Sequence, residues 1–182
     1  MASDTSDAFL DLSREASEAD LDGMRAALDR MFPAGLPNLY RAMARHPRVL
    51  ATLTAMKKHV EAFELTEPER CLVALEVAHA SECAYCEAAL CHYGEHALGL
   101  PKEVVEGRAS VENRRLAVLI EATRAVMERK GKLDRAQIGH FEDQGVSFDQ
   151  LLEIIAVVAE YTLATYSANL GRTRIDPEYR LD

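Results

Sequence analysis

The segment HASECAYCEAALCH, residues 79–92, gathers three of the chain's four cysteines and two of its six histidines. Within it, Cys83-Ala84-Tyr85-Cys86 forms a C-x-x-C pair. Residues three apart on a helix share a face, so the two sulfurs can come within disulfide reach at a helix start. A helix beginning near Glu82 or Cys83 would turn unpaired N–H groups and its positive dipole end toward a thiolate there. Such a dithiol can meet a peroxide with one sulfur and condense onto the other. Glu82, directly beside Cys83, works in the opposite sense, because a neighbouring carboxylate raises a thiol pKa. Tyr85 and the flanking charges of Glu82 and Glu87 predict a partly accessible turn.

Two other arrangements compete for the same residues. Glu76, His79 and Cys83 lie at i, i+3 and i+7, so one unbroken helix would align them on a stripe. An imidazole beside the thiol and a carboxylate behind the imidazole would then activate a sulfur nucleophile. A break at Ser81-Glu82 would undo that stripe. A zinc site drawn from His79, Cys83, Cys86 and His92 is the alternative. It lacks the second closely spaced ligand pair that structural zinc usually has, and no metal is expected. Cys71 and Cys91, flanked by Leu72 and Leu90, read as small apolar core residues. His92 and His96, four apart, read as exposed.

The elements that must position these groups read as helix after helix, with glycine and proline at the joints and no sustained period-two alternation. A helix is predicted over Ala19–Met31, a short amphipathic one over Leu36–His46, and another over 47–64 with Pro47 in its first turn. Thr66-Glu67-Pro68-Glu69 is a capping box that starts a helix near Glu67. Cys83 to Leu98 is helical in pattern and ends at Gly99, and Pro101 opens a short helix. Ser110 is the expected cap of a long helix over about 111–130, closed by Gly131. Asp134 starts a short helix that ends at Gly145. Ser147-Phe148-Asp149-Gln150 is a second capping box that launches Leu151–Leu170. That last helix is apolar around most of its circumference, which places it in the core or under another subunit. With no internal linker, the chain reads as one all-α domain over 19–176. An N-terminal extension over 1–18, partly disordered, and a C-terminal tail over 177–182 flank it.

Bulk composition narrows the function. A length of 182 residues suits one well-buried domain, and 48% hydrophobic with 28% charged residues is ordinary for a globular protein. A net charge of −9 and the lack of any Lys/Arg cluster argue against nucleic acid. No apolar run approaches the ~20 residues of a membrane helix, so no membrane is expected. MASDTSDAFLDLSREASEAD lacks the basic and apolar regions of a secretory signal, so the expected location is cytoplasmic. Four cysteines crowded into 71–91 do not resemble a disulfide framework, and in a reducing compartment they point to redox chemistry or metal.

Several stretches together resemble the AhpD-like alkylhydroperoxidase branch of the carboxymuconolactone decarboxylase superfamily. LPNLYRAMARHPRVLATL resembles its entry segment, and TEPERCLVALEVAHASECAYC its core helix running into the active-site motif. HALGLPKEVVEG resembles the following glycine turn, and FEDQGVSFDQLLEIIAVVAEYTLATYSANLG the closing helices. The resemblance covers roughly residues 33–176. It implies an AhpD-like helical bundle, a homo-oligomer (dimer, trimer or hexamer), and reduction of a hydroperoxide substrate by a Cys83–Cys86 disulfide cycle. An external dithiol resets the pair, and no cofactor takes part. The family pattern places a glutamate twelve residues before the first cysteine and a histidine four after the second. Those positions are Cys71 and Leu90 here. By the same match Cys86 meets the peroxide and Cys83 resolves, whereas the helix-start argument favours Cys83. Cys83, Cys86, His79 and Glu76 are therefore the candidate catalytic residues. The alternatives are a redox-sensing or binding oligomer without turnover, and a decarboxylase or lactone enzyme of the same fold.

Overall fold

A computed structural model describes residues 35–107 and 113–180, together with Leu28 and Phe32. The helix predicted over Ala19–Met31, the Ser110 cap and the 1–18 extension lie outside the described residues, Leu28 excepted. The described residues form eight α-helices and no strand: α1 Asn38–Met43, α2 Pro47–Val60, α3 Glu67–Ala80, α4 Ala84–His96, α5 Lys102–Val105, α6 Arg114–Arg129, α7 Arg135–Asp143 and α8 Phe148–Leu170. A 3₁₀ turn, Pro177–Tyr179, follows. The fold is all-α, in one domain, as the sequence pattern requires.

Local chemistry sets the boundaries. Pro47 occupies the first turn of α2, where its missing N–H costs nothing. The Thr66 N–H donates to the Glu69 carboxylate at 2.7 Å and starts α3. Asp134 with Gln137, and Ser147 with Gln150, form the capping boxes of α7 and α8. The cap of α6 is Asn113, whose side chain accepts the N–H groups of Arg115 and Leu116. The helix therefore starts three residues later than a Ser110 cap would place it. Asparagine caps as well as serine does, and the position nearer the apolar periodicity is the one used.

α3 and α8 form the centre. On α3, Leu72, Val73, Ala74, Leu75, Val77 and Ala78 are all buried. α8 packs against α1, α2, α3, α4 and α6 through Leu151, Ile154, Val157, Ala164 and Ala168. Burial of each large aliphatic side chain contributes roughly 1.5–3 kcal/mol, which makes this pair the main source of cohesion. α8 also corrects an expectation. By length and composition it is apolar enough to cross a membrane, because alanines, threonines and tyrosines fill the gaps between its aliphatic residues. In this fold other helices enclose one of its sides. Its carboxylate Glu153 accepts the N–H groups of Glu64 and Leu65 at 2.8 and 2.9 Å, which ties down the α2–α3 loop.

The chain after α8 returns across the bundle. Pro37, the residue before α1, has no side chain that can cap it. Asp176 does so from the other end of the chain, accepting the Asn38 N–H at 3.0 Å. The Tyr85 hydroxyl donates to the same carboxylate at 2.8 Å and accepts the Leu39 N–H at 3.3 Å. Tyr179 continues the contact, its ring 6.3 Å from Tyr85 and 5.4 Å from His92. The segment after Asp176 is thus packed on the bundle through Tyr179.

Replacing Tyr85 by phenylalanine removes a buried hydroxyl that donates to a carboxylate. A hydrogen bond of this charged kind is worth roughly 1.5–3 kcal/mol. Tyr85→Phe is expected to lower unfolding free energy by about 2 kcal/mol in urea titration, and Asp176→Asn to weaken the same junction.

Candidate active site

α3 stops at Ala80 because the chain turns left-handed at Glu82, with φ +48°. The Glu82 N–H bonds to the His79 carbonyl at 3.1 Å, and the Cys83 N–H to the Ala78 carbonyl at 3.0 Å. These two bonds form a Schellman closure, which satisfies carbonyls that a helix end leaves open. Cys83 is next the N-cap of α4, its sulfur accepting the Cys86 N–H at 3.3 Å. The motif thus sits on a helix start, and the two cysteines are brought together there.

Both sulfurs are enclosed. Cys83 is 0% and Cys86 4% exposed, and all four cysteines are free thiols. The partly accessible turn expected from the charges is not seen, because Tyr85 is buried beneath the C-terminal segment and only Glu82 and Ala84 face outward. The hydrogen bond from Cys86 lowers the Cys83 pKa against the cost of burial, and the N–H groups of Cys86 and Tyr85 add to this. The opposing carboxylate is Glu87, one turn into α4. The Cys83 sulfur beside it, together with burial, pushes Cys86 well above the ordinary thiol range. Of the pair, Cys83 is the sulfur favoured as thiolate and Cys86 the one favoured as thiol.

The uninterrupted stripe Glu76–His79–Cys83 is not formed, since the helix ends between His79 and Cys83. Glu76 is held elsewhere, by a two-pronged Arg124 pair at 2.6 and 2.9 Å. His79 is partly buried next to Gly107. Among the described residues no group of three His, Cys, Asp or Glu side chains is placed to hold a metal, so His79, Cys83, Cys86 and His92 do not converge. Cys71 and Cys91 are core thiols. Cys71 lies 3.8 Å from the Leu90 carbonyl and Cys91 3.3 Å from that of Val105. Burial pushes Cys71 up to about 12 and Cys91 up to about 11, which keeps both protonated. His92 is half-buried against Tyr179, while His96 is exposed.

Sequence reasoning passed over one group. Glu160, on the inner side of α8, is 4% exposed. It lines a cavity of about 50 Å³ with Cys71, Leu90, Tyr93 and Tyr161. Positions 71 and 90 both face this space. Burial is the main reason that the Glu160 carboxyl is pushed up to about 7, helped by Glu61 and opposed by Lys57 and Arg70. A lone carboxylate within the apolar run AVVAEYTLAT was the available signal.

No protein-family model matches the chain, and neither does any curated protein. Solved structures do. A peroxidase-related protein from Ralstonia eutropha JMP134, described as an alkylhydroperoxidase AhpD core, superposes with a TM-score of 0.79 at 18% identity. The match covers 94% of this chain and 92% of that one. A peroxidase-related protein from Silicibacter sp. TM1040 gives 0.75 at 18% identity, over 87% of each chain. The debrominase Bmp8, whose cysteine-to-alanine variant was solved with 2,3,4-tribromopyrrole, gives 0.60 at 16% identity, over 91% of this chain and 92% of that one. The fold is AhpD-like, and proteins of this fold do more than one kind of chemistry.

Glu160 also has a consequence for stability. Its folded pKa of about 7 exceeds the ordinary 4.5, so the folded chain keeps a proton that the unfolded chain releases. Stability therefore falls as pH rises from the lower value through the upper one. Glu160→Gln is expected to be more stable than the parent above neutral pH, by up to about 3 kcal/mol. The gain should vanish toward pH ~4.5 when denaturation is compared across pH.

Proposed function

We propose that the chain is a CxxC-dependent thiol oxidoreductase that reduces hydroperoxides through a Cys83–Cys86 disulfide, with an external dithiol restoring the pair. The observation that carries this reading is the capped dithiol: Cys83 at the N-terminus of α4, its sulfur accepting the Cys86 N–H at 3.3 Å. One sulfur takes the distal oxygen of the hydroperoxide and becomes a sulfenic acid, releasing an alcohol. The other displaces water from it and closes the disulfide. The lowered pKa of Cys83 favours it as the first nucleophile, while the family pattern favours Cys86. Either order consumes the same two thiols. The enclosed sulfurs suit small or narrow hydroperoxides, or a site that opens during the cycle.

A redox-sensing role without turnover is the second reading. The burial of both sulfurs, with a thiol and an aliphatic side chain at positions 71 and 90, favours it. The crowding of all four cysteines into residues 71–91, unlike a disulfide framework, supports action in a reducing compartment such as the cytoplasm. The outer side of α8 supports self-association. Phe148, Leu152, Ile155, Tyr166 and Leu170 form an exposed apolar stripe on it, with Tyr166 63% and Leu170 79% exposed. Residues four and three apart lie on one helix face, so this side is the natural seat for a second copy.

Assay of tert-butyl hydroperoxide consumption with excess dithiothreitol tests the enzyme. Many turnovers per chain are expected, abolished in Cys83→Ser and in Cys86→Ser, and retained in His79→Ala because the stripe is broken. A single stoichiometric oxidation without turnover would favour the sensor. Sedimentation should show an oligomer that Leu152→Asp converts toward smaller species.

A further inference from the structure

α8 gives one side to the core and turns the other outward. Along that outer side run Phe148, Leu152, Ile155, Ala159, Thr162 and Tyr166, spaced by four, three, four, three and four residues. This is the 3.5-residue repeat with which one helix follows another in a coiled coil. No residue of the stripe is charged, in a chain of net charge −9. Its one hydroxyl near the middle, on Thr162, donates to the Val158 carbonyl at 2.6 Å, so covering it strands no donor.

The stripe also reads the same from either end. Its midpoint is Ala159. Small residues flank it, Ala156 three before and Thr162 three after. Ile155 and Leu163 follow at four, Leu152 and Tyr166 at seven, Phe148 and Leu170 at eleven. At ~100° per residue, all of them fall within about 60° of Ala159 around the helix. A two-fold interface requires this property, because residue i of one copy meets residue j of the other while j meets i. Turned end for end about Ala159, the stripe sets alanine on alanine where two helices cross. Toward both ends it sets one large apolar side chain against another.

Charge and area favour the same occupant. Asp149, in the first turn of α8, and Arg172, just past its end, are both exposed. Antiparallel packing brings the acidic start of one α8 toward the basic end of the other and pairs opposite dipole ends, whereas parallel packing sets like ends together. At roughly 200 Å² for a fully exposed large side chain, Phe148, Leu152, Ile155, Tyr166 and Leu170 offer about 550 Å² per copy. Ala51 and Ala55 of α2 line one groove with Ala156 and Ala159, which extends this face toward the ~800 Å² that each partner gives a standard interface.

We infer that the chain forms a two-fold dimer in which α8 packs antiparallel on α8 of a second copy, with Ala159 on the axis. The inference rests on the self-association reading of this face and gives it a direction and a centre.

Cross-linking of the full-length protein tests it. The parent, whose four cysteines are buried, is the background. Ala159 is exposed, so Ala159→Cys disturbs no packing, and mild oxidation is expected to join its new thiols into a covalent dimer on non-reducing gels. Leu152→Cys and Tyr166→Cys proteins, mixed and treated with a short bismaleimide, are expected to join to each other and not to themselves. Ala159→Glu sets two carboxylates on the axis and should shift sedimentation to the monomer, while an equimolar mixture with Ala159→Lys restores the dimer. An oligomer in which Ala159→Cys gives no cross-link, or in which Leu152→Cys joins to itself, would overturn the antiparallel pairing and leave self-association standing. A parent that sediments as a monomer at every concentration would overturn both, and flotation of that monomer with phosphatidylcholine vesicles would put a lipid surface on α8 instead.

Discussion

Cys83 belongs to two helices at once. Its N–H closes α3 by bonding to the Ala78 carbonyl at 3.0 Å, and its sulfur opens α4 by accepting the Cys86 N–H at 3.3 Å. No linker separates the helices, so their relative direction is set by the left-handed turn at Glu82. A non-glycine residue in that region carries a local cost, which the two closure bonds and the packing of α3 against α4 offset. Everything specific to the site follows from this joint. It puts the first sulfur where N–H groups converge, and the second one turn further on the same face. It also turns Tyr85 inward.

That inward tyrosine connects the joint to both ends of the described fold. α1 is six residues long and preceded by a proline, so its first N–H groups have no partner within their own segment. Asp176 supplies one from beyond α8, and the Tyr85 hydroxyl bonds to the same carboxylate. The entry segment, the motif helix and the C-terminal segment thus share one carboxylate. The motif's middle residue acts as a structural peg, which is why the dithiol is enclosed and not displayed on a turn.

Much of the frame was legible in the sequence because helix ends carry their own chemistry. Thr66 with Glu69, Asp134 with Gln137, Ser147 with Gln150, and Pro47 each mark a start that the structure uses. Asn113, the cap that α6 uses, was passed over in favour of Ser110, although asparagine is as competent a cap as serine. The dithiol was legible as a motif, but its surroundings were not. The partners of Tyr85 lie 46 and 91 residues away, and such pairings leave no local periodicity. The stripe through Glu76 and His79 failed for the converse reason. Spacing alone cannot show that a non-glycine residue will turn left-handed and stop the helix.

The division of charge within the dithiol follows from the same joint. A chain with net charge −9 has little positive potential to spare for a buried thiolate, and Glu87 lies close by. Cys83 is favoured in that state by hydrogen bonds donated from Cys86 and by the N–H groups that open α4, not by any neighbouring cation. A thiolate stabilised in this way depends on Cys86 keeping its proton. The same bond that lowers one pKa raises the other. Once Cys83 is no longer a thiolate, Cys86 loses the acceptor that held its proton, and its pKa is governed mainly by burial. That proton then needs an acceptor in a low-dielectric interior, where a permanently charged carboxylate would be costly.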